Sequence, residues 1–328
     1  MKILYILDKP QIPVHQHIID FLRSKDMEIK TEFIIHHEKK IGDAHWEFFQ
    51  NKKFQENHIK ENYDFIIWNT HSSFPDTRAF QTAVKPRVGF IDIEHDLFDD
   101  DLPEHTMIYG KSLLLTFQKR HHKIALEKLS KNRTIVKSRW PNLDVIYEPL
   151  EFNAVDKWND AILIGFHGWA GRDSVYYPGF EVFNKIWYKI YTPSWAINMP
   201  LLPEQFVGPK GSKYCAEACK FILTSGSGCY QDVLLFGSIP IMLPDNIVKE
   251  EPLDDIVSRV NFKVWRGEVT PFKCITMKNI KFKIDLLRND INLFEKIQKE
   301  LFSEWFDEDY FSFPPAHEVI YNFIKENG

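Results

Sequence analysis

The chain has 328 residues, 44% hydrophobic and 15% aromatic, which supplies core material for two ordinary domains or one large one and excludes disorder. Its 41 basic and 46 acidic residues leave a net charge of −5, so there is no strong nucleic-acid signal and no global pull toward an anionic membrane. No apolar run approaches the roughly 20 residues that cross a bilayer. The apolar stretch Ile3 to Leu7 is also too short for a signal sequence, so the expectation is a soluble, cytoplasmic protein with no transmembrane segment.

Met1 to Leu7 reads as a buried strand. After a loop from Asp8 to Pro13, an amphipathic helix is expected over Val14 to Arg23, with Ile18, Ile19, Phe21 and Leu22 on its apolar side. Further strands are expected at Thr31 to Ile35, Asp64 to Trp68, Arg87 to Ile91, Ser112 to Phe117 and Thr134 to Val136. A short helix around Thr77 to Val84 and a longer one over Lys119 to Ser130 alternate with them. This spacing predicts a doubly wound α/β sheet. Trp140 to Asn159 carries Pro141 and Pro149 and lacks clean periodicity, so it reads as the connection between a domain at 1–150 and a second at 151–328.

The second half restarts the βα pattern at Ala161 to Gly165. That strand runs into Gly165-Phe166-His167-Gly168-Trp169-Ala170-Gly171-Arg172, a glycine-rich turn closing on an arginine. Backbone N–H groups and a guanidinium fork suit a diphosphate, although the same residues also make a tight turn with a surface arginine. A strand at Trp187 to Tyr191, a helical turn at Tyr214 to Lys220 and a strand at Phe221 to Thr224 come next. The loop Ser225-Gly226-Ser227-Gly228 leads into a helix over Cys229 to Phe236 and a strand over Ile239 to Leu243. In a parallel sheet that loop falls at a carboxyl end, where small residues let the backbone approach a ligand closely. Lys278 to Trp305 is the longest helical pattern, with Gln298 the polar exception on an apolar stripe.

Tyr214, Lys220-Phe221, Asp232, Gly237-Ser238-Ile239-Pro240 and Asp245 together resemble the C-terminal, sugar-nucleotide-binding half of GT-B glycosyltransferases, in particular exostosin-type transferases. Those enzymes show an acidic residue, a helix, Gly-x-Ile-Pro-Val and a following Asp. The chain departs from them at Gln231, where an Arg is expected. Ser227, Gly228, Gln231 and Asp232 are also loosely similar to the non-hydrolysing UDP-sugar 2-epimerases of the same fold. The resemblance implies two Rossmann-like doubly wound domains facing a cleft, with a long C-terminal helix. It implies a nucleotide-sugar donor as substrate, no cofactor, and a glycan or other hydroxyl acceptor. It places donor contacts at Gly168, Arg172, Ser225, Gly226, Ser227, Gly228 and Asp232, the last accepting hydrogen bonds from ribose. Without a nucleotide, Asp232 simply favours a helix N-terminus.

A transferase that inverts its sugar needs a base for the acceptor proton, and in GT-B enzymes this comes from loops of the first domain. His15, His71 and His95 qualify by position. His95 stands among Asp92, Glu94 and Asp96, where a carboxylate raises its pKa and orients its ring, so His95 is preferred with Asp92 as alternative or orienter. An epimerase would need acid/base groups around the donor sugar, which only His167 offers in the second half. A third reading is a non-catalytic GT-B-like binding module. No metal is assigned. The acidic run Asp92 to Glu104 does not match an EF-hand, Cys215 and Cys219 lack a second pair, and His121-His122 and His15-x-His17 lack further ligands at regular spacing.

Overall fold

The computed structural model describes residues 1–8, 11–34, 48, 51–69, 83–93, 110–129, 133–145, 155–164, 183–188, 212–224, 233–242 and 284–328. The chain divides into two compact units. Unit 1 joins Met1–Val145 to Trp305–Gly328 from the far end of the chain, and unit 2 is Ile146–Glu304. The expected second domain runs through to 328, although the GT-B resemblance also implies final helices that often cross back onto the first domain. The closing segment packs with unit 1, both on its first helix and on the end of its first segment.

Unit 1 holds a parallel six-stranded sheet built from β1 (Lys2–Asp8), β2 (Glu28–Ile34), β3 (Phe65–Asn69), β4 (Gly89–Ile93), β5 (Lys111–Thr116) and β6 (Thr134–Lys137), in the order β2-β1-β3-β4-β5-β6. Every residue of β3 and β4 is buried, which fits strands covered on both faces. The first helix, α1 (Ile12–Arg23), begins two residues before the sequence reading. Pro13 sits in its first turn, where a missing N–H costs no helical bond. Two more helices, α2 (Lys52–Ile59) and α3 (Lys119–Leu129), belong to this unit.

The β4 strand runs two residues further than the sequence pattern suggested, and the cause is an ion pair. Asp92 is buried inside the strand and Arg133 is bonded to its carboxylate. Pairing lets a charged residue occupy a core position that apolar periodicity would not assign. Other buried polar groups are paired in the same way. Tyr5 Oη and His15 Nδ1 share a 2.8 Å hydrogen bond, and His58 Nδ1 lies 2.9 Å from Tyr63 Oη. Burial, helped by the Lys30 charge, lowers the His58 imidazole to about 4, so it is neutral in the native state.

The last helix, α4 (Ala316–Asn327) when counted among the helices of unit 1, buries Ala316, Val319, Ile320, Phe323 and Ile324. The chain leading into it is stitched to the end of the first half. Trp140 N donates to Tyr310 Oη at 2.8 Å, Ser138 Oγ donates to the Pro314 carbonyl at 2.9 Å, and Lys137 pairs with Asp307 at 2.8 Å. These partners are about 170 residues apart in sequence, so no local pattern announces them.

Unit 2 holds a four-stranded parallel sheet of β7 (Ala161–Ile164), β8 (Ile186–Tyr188), β9 (Phe221–Thr224) and β10 (Ile239–Met242), in the order β10-β9-β7-β8. A short helix over Ser212–Ala218 precedes β9. Residues 233–235 are helical and end in a Schellman motif. Ser238 N bonds to the Val233 carbonyl at 3.0 Å and Gly237 N to Leu234 at 3.2 Å, with Gly237 at φ +79°. Ser238 Oγ then donates toward the carbonyls of Ala216 and Cys219, tying that helix end to the end of the short helix that precedes β9.

The long helix expected over Lys278 to Trp305 is broken. Residues 284–289 are helical, and a new helix runs over Ile291–Trp305. Asp290 makes the break, because its carboxylate accepts from Leu293 N at 3.0 Å, the bond of an N-cap. Gln298, the polar exception on the stripe, donates to the Leu234 carbonyl at 2.9 Å. Among the described residues no helix is long and apolar enough to cross a membrane.

Candidate functional site

In both sheets the strand that comes first in sequence has later strands on each side of it. Chain crossovers therefore leave it in opposite directions, and in doubly wound sheets ligands bind at the carboxyl ends of the two strands where the direction switches. In unit 2 those strands are β7 and β9. They are parallel neighbours, and their last residues, Ile164 and Thr224, are register partners. Ile164 and Thr224, the described residues that precede segments 165–182 and 225–232, thus lie about one strand spacing of 4.8 Å apart. These are the segments that carry Gly168, Arg172, Ser225, Gly226, Ser227, Gly228 and Asp232. All seven lie outside the described residues, as does His167. After Asp232 the described residues resume with helix at 233–235, where Val233 and Leu234 are buried.

The corresponding place in unit 1 lies between β1 and β3, where Leu7 is the partner of Asn69. Asn69 closes an otherwise apolar strand, and its Nδ2 donates to the Ile93 carbonyl at 3.3 Å. That bond joins the last residues of β3 and β4. His71 and His95 each follow two residues past these ends and lie outside the described residues. Sequence alone gives Asn69 no role beyond closing the strand before His71, although an amide ending the apolar run Phe-Ile-Ile-Trp-Asn is the signal that marks it.

Asp92 and His15 are described. Asp92 is held by Arg133 inside the sheet. Burial raises its carboxyl above the usual value, and the Arg133 charge partly offsets the rise. His15 is fully buried, with its Nδ1 on Tyr5. Its imidazole presents no surface to solvent.

The cysteines are structural where they are described. Cys215 and Cys219 are buried, and Cys219 Sγ donates to the Asp160 carbonyl at 3.0 Å. Burial pushes that thiol up to about 12, so it stays protonated and is a poor metal ligand.

No protein-family model matches this sequence, and no curated protein sequence matches it. Solved structures do match. The chain is similar to the UDP-GlcNAc 2-epimerase of Neisseria meningitidis bound to UDP-GlcNAc, with a TM-score of 0.59, 11% identity and 100% of each chain covered. It is similar to S. aureus MnaA in a co-structure with UDP, with a TM-score of 0.58 and 14% identity over 99% of this chain and 96% of that one. It is also similar to the glycosyltransferase SnogD of Streptomyces nogalater, with a TM-score of 0.56 and 13% identity over 99% and 100%. The fold is that of GT-B enzymes.

At such identities the likeness carries the fold alone, and the chemistry has to be argued from residues. Within a GT-B chain, the doubly wound order in each unit explains why segments distant in sequence leave from adjacent strand ends. It does not choose among the reactions this fold supports, because transferases and an epimerase share it.

Proposed function

We propose that the protein is a glycosyltransferase that moves a sugar from a nucleotide-sugar donor to a glycan or other hydroxyl acceptor. The observation that carries this reading is the register pairing of Ile164 with Thr224. It sets side by side the two strand ends that the Gly168/Arg172 and Ser225–Asp232 segments follow in sequence, which supports a shared donor site. Arg172 and the glycine-rich backbone hold the diphosphate, with Gly168, Ser225, Gly226, Ser227 and Gly228 allowing close approach. Asp232 accepts from the ribose hydroxyls. The solved neighbours include a glycosyltransferase, and others are bound to UDP or a UDP-sugar. The likeness to exostosin-type sequences at Gly237 to Pro240 points the same way.

On this reading His95 is the base for the acceptor proton. Asp92 contributes through position, because its pair with Arg133 fixes β4 three residues before His95. The donor is consumed as substrate and no cofactor is needed. A sugar-nucleotide 2-epimerase is the second reading, favoured by the UDP-GlcNAc 2-epimerase among the neighbours, with His167 beside the donor sugar. Incubation with UDP-, GDP- and CDP-sugars separates the two. Slow release of nucleoside diphosphate from a donor supports the transferase, and interconversion of the sugar with the nucleotide intact supports the epimerase. Failure of every donor to bind or react overturns both and leaves a binding module.

A further inference from the structure

Three metal-ligating side chains that the sequence scatters at positions 17, 144 and 317 meet in unit 1. His17 lies on α1, Asp144 closes the 3-10 turn Pro141–Asp144, and His317 lies in the first turn of the final helix. One ligand atom from each falls within 4.8 Å of the others. The imidazole rings stand edge to face, with centroids 5.7 Å apart.

These groups are short of partners. Nδ1 of His317 and Oδ2 of Asp144 are buried without a hydrogen bond among the described residues, and the buried ring nitrogens of His17 have no well-aligned partner, although the Val14 backbone lies close to the ring. The Asp144 side chain is only 10% exposed, and its other oxygen, Oδ1, is paired with Arg139. Buried polar atoms without partners are costly, and so many together mark a place where something else completes the bonding. Phe21 packs on the His317 ring at 4.5 Å between centroids, giving the cluster an apolar wall.

We propose that His17, Asp144 and His317 bind a divalent transition-metal ion, of which zinc is the best match. Two imidazoles and one carboxylate are a known three-ligand zinc set, with water in the fourth place. Bonds of about 2.0–2.2 Å put tetrahedral ligand atoms roughly 3.4 Å apart, so from within 4.8 Å of one another the three side chains need move inward by no more than about an ångström. Calcium and magnesium prefer oxygen ligands and fit this set poorly. Burial lowers the pKa of both histidines, and each imidazole keeps a lone pair at neutral pH. Arg139 holds Asp144 from behind, as outer-shell partners of ligating carboxylates do.

The location gives the ion a task. Asp144 is the penultimate residue of unit 1 before the chain passes into unit 2, and the final helix begins soon after the chain returns at Trp305. An ion here clasps the departing and returning segments to α1.

The test uses full-length protein freed of metal by chelation and then titrated with zinc against a chromophoric competitor. One equivalent is expected to bind, with a rise in the unfolding midpoint, and His17→Ala or His317→Ala should weaken it by at least about 100-fold. Asp144→Asn keeps a hydrogen-bond acceptor for Arg139 and guards against variants that misfold. Cobalt in the unaltered chain needs no variant and should give visible d–d bands without a thiolate charge-transfer band. No zinc binding, equal affinity in the variants, or a thiolate band placing cobalt on cysteine would each overturn the proposal.

Discussion

The two sheets share a winding order but differ in what they keep inside. In unit 1 several buried ionisable groups are held in pairs, Asp92 with Arg133, His15 with Tyr5 and His58 with Tyr63, while His17, Asp144 and His317 gather in a cluster. In unit 2 the described interior around β7 and β9 holds thiols, aliphatic side chains and Phe221; Asp160, a buried carboxylate, accepts from Trp187 Nε1, and Ser238 is bonded to two carbonyls. A histidine or carboxylate in the first half is therefore weak evidence for chemistry until its burial is known. Glycine, serine and arginine in the second half gain meaning from the strand ends that they follow.

The largest effect expected from this contrast separates two histidines. His95→Ala should lower the rate of transfer or donor hydrolysis by about 10²–10⁴-fold while leaving donor affinity almost unchanged. His15→Ala should instead lower the unfolding midpoint, because it strips the buried Tyr5 hydroxyl of its partner. Steady-state kinetics and thermal melts on both variants check this, and the reverse pattern would make His15 the functional residue.

Arg133→Met comes next. It leaves Asp92 buried without its cation and should cost about 3–5 kcal/mol in urea unfolding. The pH dependence has a definite sign. Asp92 already titrates above the ordinary carboxyl value in the folded protein, so its contribution to stability is greatest below the unfolded value and is lost as pH rises through the raised folded value. Removing Arg133 raises the folded value further, so the variant's deficit should shrink between pH 8 and pH 5. A deficit that grows on acidification would mean Asp92 is not the group left exposed to the loss.

The smallest effect belongs to Gly237. A Cβ added there meets nothing within 4 Å, so Gly237→Ala should cost only the left-handed backbone, about 1–2 kcal/mol. A larger loss in a denaturant melt would show that the turn does more than end a helix.

Much of the fold was legible because parallel strands covered on both faces are written as short continuous apolar runs, as in Phe221 to Thr224, which the structure reproduces residue for residue. The order of strands around β7 was not, since register is set by partners sixty residues away. The break at Asp290 was hidden because an apolar stripe continues through it. The capping carboxylate was the missed signal. Return of the last helix to unit 1 rests on contacts from Trp140 to Tyr310 that no window of sequence contains. The histidine pair in His15-x-His17 was visible, but one residue is bonded to Tyr5 and the other meets Asp144 and His317 only after folding.

The central claim is that the segments leaving Ile164 and Thr224 hold a nucleoside diphosphate, and calorimetric titration tests it most directly. The nucleoside diphosphate that binds the unaltered protein, and its parent nucleoside, are titrated into that protein, Arg172→Ala and Asp232→Asn. Asp232→Asn should lose about 1.5–3 kcal/mol of affinity, and Arg172→Ala should weaken the diphosphate far more than the nucleoside. Unchanged affinity in both variants would place the nucleotide elsewhere and contradict the account.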